Sequence, residues 1–220
     1  GTLNSRVAVP SFPTGVRKDM GSHGSITVND IDTILNRVVL PDGRTVQWSP
    51  DPHTDWYSDS TKNGPVCVFL DTHCDSATYY AHWTSGAYVN TIYTGSDSLD
   101  GLYFGNWVSV LYPYQLKVTR IEIQGRHTSN VFRAPGKFRL YARHGAGSDW
   151  NVIAERKDKS KAYDSNVLLQ LDVYSETFYS EFALVVNEVQ GPYATATSMN
   201  WRKLFLHGHR KYGSANDKVV

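Results

Sequence analysis

The stretch "GNWVSVLYPYQLKVTRIEIQGR", residues 105–126, decides the predicted fold of this chain. In its first half, "WVSVLY" at 107–112, both alternating sets of side chains are largely apolar. That pattern is typical of a strand covered on both sides. We therefore predict that a buried strand ends at Pro113, that residues 112–115 turn the chain, and that a second strand returns.

The second half of this stretch alternates between polar and apolar residues. One face is expected to carry Val118, Arg120, Glu122 and Gln124, and the other Thr119, Ile121 and Ile123. A strand with one buried face is typical of an antiparallel sheet.

Short strand patterns recur from Val66 onward. They are "VCVFL", "AYVNTIYTG", "WVSVLY", "KVTRIEIQGR", "KFRLYARH", "WNVIAER", "NVLLQLDV", "EFALVVNEV" and "KLFLHGH". Turn residues separate them, as in "RAPGK" and "HGAGSD", and no helical period exceeds about two turns. This spacing predicts an all-β fold, an antiparallel β-sandwich or jelly roll.

Residues 1–65 differ from the rest, because prolines punctuate them and their apolar runs are short. Within them, "RVVLPDGRTVQW" (37–48) predicts a hairpin over a Pro-Asp-Gly turn, and "VNDIDTILNRV" (28–38) predicts a short helix. We divide the chain into an N-terminal arm or small subdomain (1–65), a sandwich (66–212) and a C-terminal tail (213–220).

Composition narrows the classes of partner. The formal net charge is +1, which favours neither nucleic acid nor an anionic membrane, and the short basic run "HGHRKY" (207–212) is interpreted as solvated. No stretch approaches the ~20 apolar residues of a transmembrane helix, so no membrane insertion is expected. The start lacks the apolar core of a signal peptide, but it also lacks Met, so secretion stays open.

Cys67 and Cys74 are interpreted as reduced thiols, with a bridge as the alternative.

An ordered set of motifs runs through residues 66–210. It comprises Trp107 with Pro113, "GR" at 125–126, "KFRLYA" at 137–142, "GSDW" at 147–150, "FAL" at 182–184 and "LFLHG" at 204–208. In this order the motifs resemble the discoidin, or coagulation-factor type C, domain of the galactose-binding-like superfamily. The resemblance implies a jelly-roll sandwich whose loop 125–133 lies at the ligand-binding end. The arrangement of these motifs is also similar to that of variants of this domain in proteins of large viruses and phages, which implies an extracellular or virion-surface setting.

The same resemblance implies a structural calcium. Asp71, Asp75 and Thr78 match the oxygen ligands that many relatives supply, but "MNWRKLFLHG" offers no Glu where those relatives have one. A hard cation takes six or more oxygens, so calcium stays a hypothesis.

No catalytic signature stands out. The sequence has no nucleophile motif, no phosphate-binding glycine loop, no His-Glu-x-x-His and no Cys-x-x-Cys. The two histidines of "HGH" (207–209) are interpreted as exposed rather than metal-binding. We therefore expect a protein that is not an enzyme, with a glycosidase as a third alternative, since paired carboxylates lie far apart in sequence.

Aromatic and amide-rich loops are the strongest functional signal. A sugar needs a flat aromatic ring beside fixed donors and acceptors. The segments "ATYYAHWTSGAY" (77–88) and "GRHTSNVFR" (125–133) offer both. The candidate ligand-binding residues are Tyr80, His82, Trp83, Arg126, His127, Asn130 and Arg133.

These residues predict a non-catalytic glycan-binding module, displayed in several copies on a fibre, capsid or cell surface and linked to protein neighbours, or to copies of itself, by the arm. The alternative is a structural subunit whose sandwich contacts only protein. For two of the candidate residues a structural role is equally compatible with the sequence. Trp83 could be packed in the core instead of exposed to a ligand, and Arg126 could pair with Glu122 or Glu188 instead of binding a sugar.

Overall fold

Strands dominate the part of the chain that the structure describes. The computed structural model describes residues 31–32, 36–40, 42–50, 65–69, 81–83, 87–126, 131–160, 168–191 and 197–211. Its strands there are β1 (Ile31–Asp32), β2 (Arg37–Val39), β3 (Thr45–Trp48), β4 (Ala81–Trp83), β5 (Tyr88–Val89), β6 (Ile92–Tyr93), β7 (Ser98–Leu99), β8 (Tyr103–Phe104), β9 (Asn106–Gly125), β10 (Pro135–Arg143), β11 (Asn151–Arg156), β12 (Leu169–Asp172), β13 (Tyr179–Val189) and β14 (Met199–Arg210). All their pairings are antiparallel, and the predicted all-β antiparallel sandwich is confirmed.

The first layer runs in the order β1-β2-β3-β9-β13-β10-β11. Its register aligns buried side chains into rows across the strands. One row is Val46, Val110, Phe182 and Ala142, and the next is Trp48, Val108, Leu184 and Leu140. These rows form the inner face of this layer.

The second layer consists of β12, the later half of β9, β14 and β4. Its rows are Leu169, Ile123 and Leu204, then Leu171, Ile121 and Leu206. The two sets of rows belong to one apolar cluster, so the core lies between the layers.

The strand β9 belongs to both layers, which corrects the predicted turn at Pro113. Residues 106–111 pair with β13, and 108–111 also pair with β3, whereas residues from Leu116 onward pair with β14. Pro113 is exposed and lies in the irregular segment between these pairings. Proline has no N–H to donate, so it fits where a strand leaves one set of partners and meets another.

A second irregularity changes which side chains of β9 face the core. The pairing with β14 shifts between His207 and Gly208, opposite Arg120 and Val118. Val118 is therefore buried together with Ile121 and Ile123, although simple alternation placed it on the opposite face. The register shift leaves Thr119 without a partner in the ladder with β14. As a result, the side chains before Thr119 lie on the faces opposite to those that simple alternation with Ile121 and Ile123 would give them.

The N-terminal hairpin is confirmed, but its separation from the sandwich is wrong. β2 and β3 pair as predicted, with Val38 opposite Val46. β3 then pairs with residues 108–111 of β9, so the hairpin extends the first layer instead of forming part of an arm. The predicted boundary at residue 65 therefore does not hold for residues 37–48.

Two local predictions are also wrong. Residues 31–32 form β1 against β2 instead of a helix, because Ile31 pairs with Val38. The segment "VCVFL" (66–70) was predicted as a strand, but Pro65–Phe69 is a 3-10 helix whose Val66, Val68 and Phe69 enter the core. In the described residues, no helix is long and apolar enough to cross a membrane.

Candidate functional site

The strand β14 brings the two predicted binding segments to one end of the sandwich. On one side its residues Met199, Asn200 and Trp201 pair with Trp83, His82 and Ala81 of β4. On its other side, Trp201 pairs with Gly125, the last residue of β9. Residues 81–83 and Gly125, which belong to the two predicted binding segments, therefore lie on opposite sides of β14.

Trp83 does not offer a ring to solvent. Its side chain is 1% exposed and stacks on Trp201, with ring centroids 6.3 Å apart and an interplanar angle of 23°. Both indoles lie in the apolar cluster between the layers. Of the two interpretations of Trp83, the structure supports the packed one, so this residue is removed from the binding set.

The turn that follows β9 places Arg133 near the same end. Residues Val131–Arg133 form a 3-10 turn that backbone hydrogen bonds tie to the end of β13, from Gly191 N to Phe132 O and from Gln190 N to Ala134 O. The guanidinium of Arg133 lies 5.4 Å from the centre of the Phe132 ring, and its Nε has no hydrogen-bond partner in the described chain. Arg133 is half-buried, as is Arg126.

Both carboxylates that were considered as partners of Arg126 bind other groups. Glu122 Oε1 accepts a hydrogen bond from Gln170 at 2.8 Å and lies 3.2 Å from Arg120. Glu188 pairs with Lys137 at 2.8 Å and with Lys159 at 3.0 Å.

His207 of the "HGH" motif lies against Glu122 instead of standing exposed. Its Nε2 is 3.0 Å from Glu122 Oε2, and its side chain is 19% exposed. Within the described residues, no group of three or more metal-ligating side chains occurs.

Several predicted site residues lie outside the described residues. They are Tyr80, His127 and Asn130 of the glycan set and Asp71, Asp75 and Thr78 of the calcium set. Cys74 also lies outside them, and for His82 and Cys67 only the backbone is described. These predictions stay predictions.

Sequence reasoning missed Asn200. This residue is 0% exposed, and neither its amide nitrogen nor its amide oxygen has a hydrogen-bond partner in the described chain. The only signal in the sequence was an amide between two apolar residues in "MNWRK", where a strand buried on one face places Met199 and Trp201 in the core. Alternation then directs Asn200 to the opposite face.

Comparison with solved structures supports the fold. A fragment of a Bacteroides thetaiotaomicron protein provisionally named a chitobiase is 9% identical with a TM-score of 0.50, and the match covers 76% of this chain and 88% of that one. A family 32 carbohydrate-binding module from C. perfringens NanJ, in complex with galactose, is 13% identical with a TM-score of 0.45 over 74% of this chain and 93% of that one.

A family 89 glycoside hydrolase from Clostridium perfringens is 16% identical with a TM-score of 0.45, and the match covers 76% of this chain. This chain spans 14% of the length of that hydrolase. No family model and no curated protein sequence matches. At these identities the likeness concerns the fold alone.

Proposed function

We propose that this chain is a glycan-binding module without catalytic activity. The observation that carries the proposal is the pairing of β14 with both β4 and the end of β9, which joins the two segments richest in aromatic, amide and guanidinium groups. Arg126 and Arg133 supply fixed donors there, and His82, Tyr80, His127 and Asn130 complete the proposed set. Such a set suits the hydroxyl groups of a sugar.

The proposed setting is an extracellular or virion surface on which several copies act together. A single shallow sugar site is weak, because a few hydrogen bonds must offset the cost of ordering the ligand. Several copies, each holding a neighbouring sugar, raise the overall affinity without new contacts. The N-terminal segment would then join the module to its protein neighbours.

A glycan array probed with the chain in multivalent form tests this function. We expect binding to a defined class of sugar, and we expect Arg126→Ala to reduce that binding about tenfold or more, since hydrogen bonds to a charged donor are the strong ones. Tyr174→Ala is the matched control, because this ring is 91% exposed but lies in the loop between β12 and β13. Wild-type chain that binds no sugar of the array would contradict the proposal.

An exposed apolar patch favours a second function, that of a structural subunit with protein partners. Val89, Ile92, Leu102 and Phe104 are each more than half exposed, and Ile92 pairs with Glu188 while the carbonyl of Phe104 accepts a hydrogen bond from Asn187. Ile92 and Phe104 therefore lie beside consecutive residues of β13. Exposed apolar patches of this kind mark protein interfaces, and self-association that Phe104→Ser abolishes would support this alternative.

Structural calcium at Asp71, Asp75 and Thr78 also stays a proposal. The segment "MNWRKLFLHG" has no Glu where the resemblance calls for one, so a further oxygen ligand would have to come from elsewhere. Bound calcium should raise the melting temperature, because a ligand that binds only the folded chain stabilises it. A melting temperature that neither calcium nor a chelator changes would end this proposal.

A further inference from the structure

We infer that Asn200 is a binding residue of the glycan site, whose amide hydrogen-bonds a sugar hydroxyl in the bound state. The inference rests on the proposed function, and it adds to that function a residue on β14 that no loop motif indicated. It follows from two observations, the unpaired state of the amide and its position between the two binding segments.

The unpaired state is unusual for a buried side chain. Buried amides nearly always have hydrogen-bond partners, because an unpaired donor or acceptor has lost its water without replacement. Asn200 is 0% exposed, and among the described residues both of its polar side-chain atoms lack a partner. The unbound protein is therefore less stable than it would be with an apolar side chain of the same size here.

Asn106 provides the internal contrast. It is 2% exposed, and its Oδ1 also lacks a partner among the described residues, but its Nδ2 donates to Ser49 Oγ at 3.4 Å and to Asp97 Oδ2 at 3.2 Å, whereas in Asn200 both polar atoms are unpaired. Burial of an Asn in this sandwich thus does not prevent pairing. The unpaired amide is a property of the position of Asn200.

Asn200 lies in a row with β4, close to the end of β9. The register places Asn200 directly opposite His82 of β4. On the other side of β14, Trp201, the neighbour of Asn200 in sequence, is opposite Gly125, the neighbour of Arg126 in sequence. Two residues proposed for glycan binding therefore lie near Asn200.

A sugar hydroxyl matches what the amide lacks, because it both donates and accepts a hydrogen bond. A bond formed in a buried position is electrostatically stronger than one formed in water. Because the amide is closed off in this conformation, binding requires local opening at this end of the sandwich. Asn200 then forms the polar floor of the site.

The test is Asn200→Leu, measured by thermal unfolding and on the multivalent glycan array. Leucine has the same number of side-chain heavy atoms, branched at the same carbon, and no polar atom, so the unliganded variant should melt about 2–4 °C higher than the wild type. Its array signal for the sugars that the wild type binds should fall about tenfold or more. Asn106→Leu is the matched control, with a lower melting temperature and unchanged sugar binding.

The outcomes separate this inference from the proposed function. Sugar binding by Asn200→Leu equal to that of the wild type overturns the role of Asn200 and leaves the glycan module standing. If Asn200→Leu melts lower but Asn200→Ala does not, the bulkier leucine clashes and the inference stands; if both variants melt lower, the amide is paired in the unliganded protein and the inference is overturned. Wild-type chain that binds no sugar removes the proposed function and this inference together.

Discussion

Two polar regions of the sandwich differ in how completely their groups are paired. Around Arg143, the guanidinium binds both oxygens of Glu181, at 2.6 and 3.1 Å, and Asp100 at 2.7 Å, while Trp150 Nε1 donates to the same Asp100 oxygen at 2.7 Å. Around Asn200, buried polar atoms lack partners within the described chain. The first region uses its polar groups to hold strands together, and the second has polar atoms that the proposed ligand would pair.

The difference indicates where function can be changed separately from stability. Changes at the paired cluster should alter unfolding and leave sugar binding intact, whereas changes at the Asn200 row should alter binding with little loss, or a gain, of stability. Residues that combine a functional role with an unfavourable local environment commonly show this trade-off.

The largest expected effect is on the stability of a variant at Trp83, the residue that follows His82 in β4. Trp83→Ala removes a fully buried indole from its stack on Trp201 and leaves a cavity, so we expect a loss of about 3–5 kcal/mol in the free energy of unfolding. Urea denaturation measures this loss, and Tyr174→Ala should show almost none. Loss of sugar binding in Trp83→Ala is then a consequence of unfolding, and a variant as stable as the wild type would contradict the core placement of this ring.

The paired cluster should give the next largest effect. Arg143→Met keeps the alkyl stem but leaves Glu181, whose side chain is 7% exposed, without its cation, and removes the guanidinium that lies 4.2 Å from the centre of the Trp150 ring. We expect a loss of about 3 kcal/mol, with sugar binding unchanged below the melting temperature.

Two controls sharpen this prediction. Adding Glu181→Leu to Arg143→Met should recover most of the loss, because the uncompensated charge is then removed. Arg139→Met, which breaks the more exposed pair with Glu155, should cost at most about 1 kcal/mol. Equal losses for Arg143→Met and Arg139→Met would show that burial of the pair does not matter.

The smallest effect depends on pH. Partial burial acts to raise the pKa of Glu188, but the hydrogen bonds and charges of Lys137 and Lys159 outweigh it and hold the pKa below its ordinary value. This carboxylate therefore stabilises the fold above the unfolded-state pKa of about 4.3, and the contribution is lost as the pH falls through the lower folded-state pKa.

Glu188→Gln should accordingly cost at most about 1 kcal/mol at pH 7 and progressively less as the solution becomes more acidic. Urea denaturation of both proteins across this pH range measures the difference. A cost that stays constant with pH would mean that the carboxylate contributes by packing and not by charge.

The comparison of sequence with structure separates local from non-local information. The hairpin at 37–48 was predictable because a Pro-Asp-Gly turn and its flanking alternation lie within one short segment. The strands β10, β11 and β13 were predictable for the same reason. The continuation of β9 through Pro113 was not predictable. A proline interrupts a strand only where a neighbouring strand needs an N–H donor at that position, and the neighbours of β9 are residues far away in the chain.

Burial and pairing at the candidate site depend even more on distant partners. The burial of Trp83 follows from its position opposite Met199 and its stack on Trp201, more than a hundred residues later. Asn200 looked ordinary in sequence, because an unpaired amide is a property of its surroundings and not of the residue. The resemblance implied only that loop 125–133 lies at the ligand-binding end; that residues 81–83 and Gly125 both pair with β14 depends on partners far apart in the chain.

The continuity of β9 has a consequence for how this chain folds. Its early half needs β3 and β13 and its later half needs β12 and β14, so its partners come from well before and well after it in the chain. Closing such distant contacts is slow, and folding should take roughly milliseconds to seconds. Because neither layer can be completed without this strand, the amides of Val110 and Ile121 should exchange their hydrogens through the same global opening, as one cooperative unit.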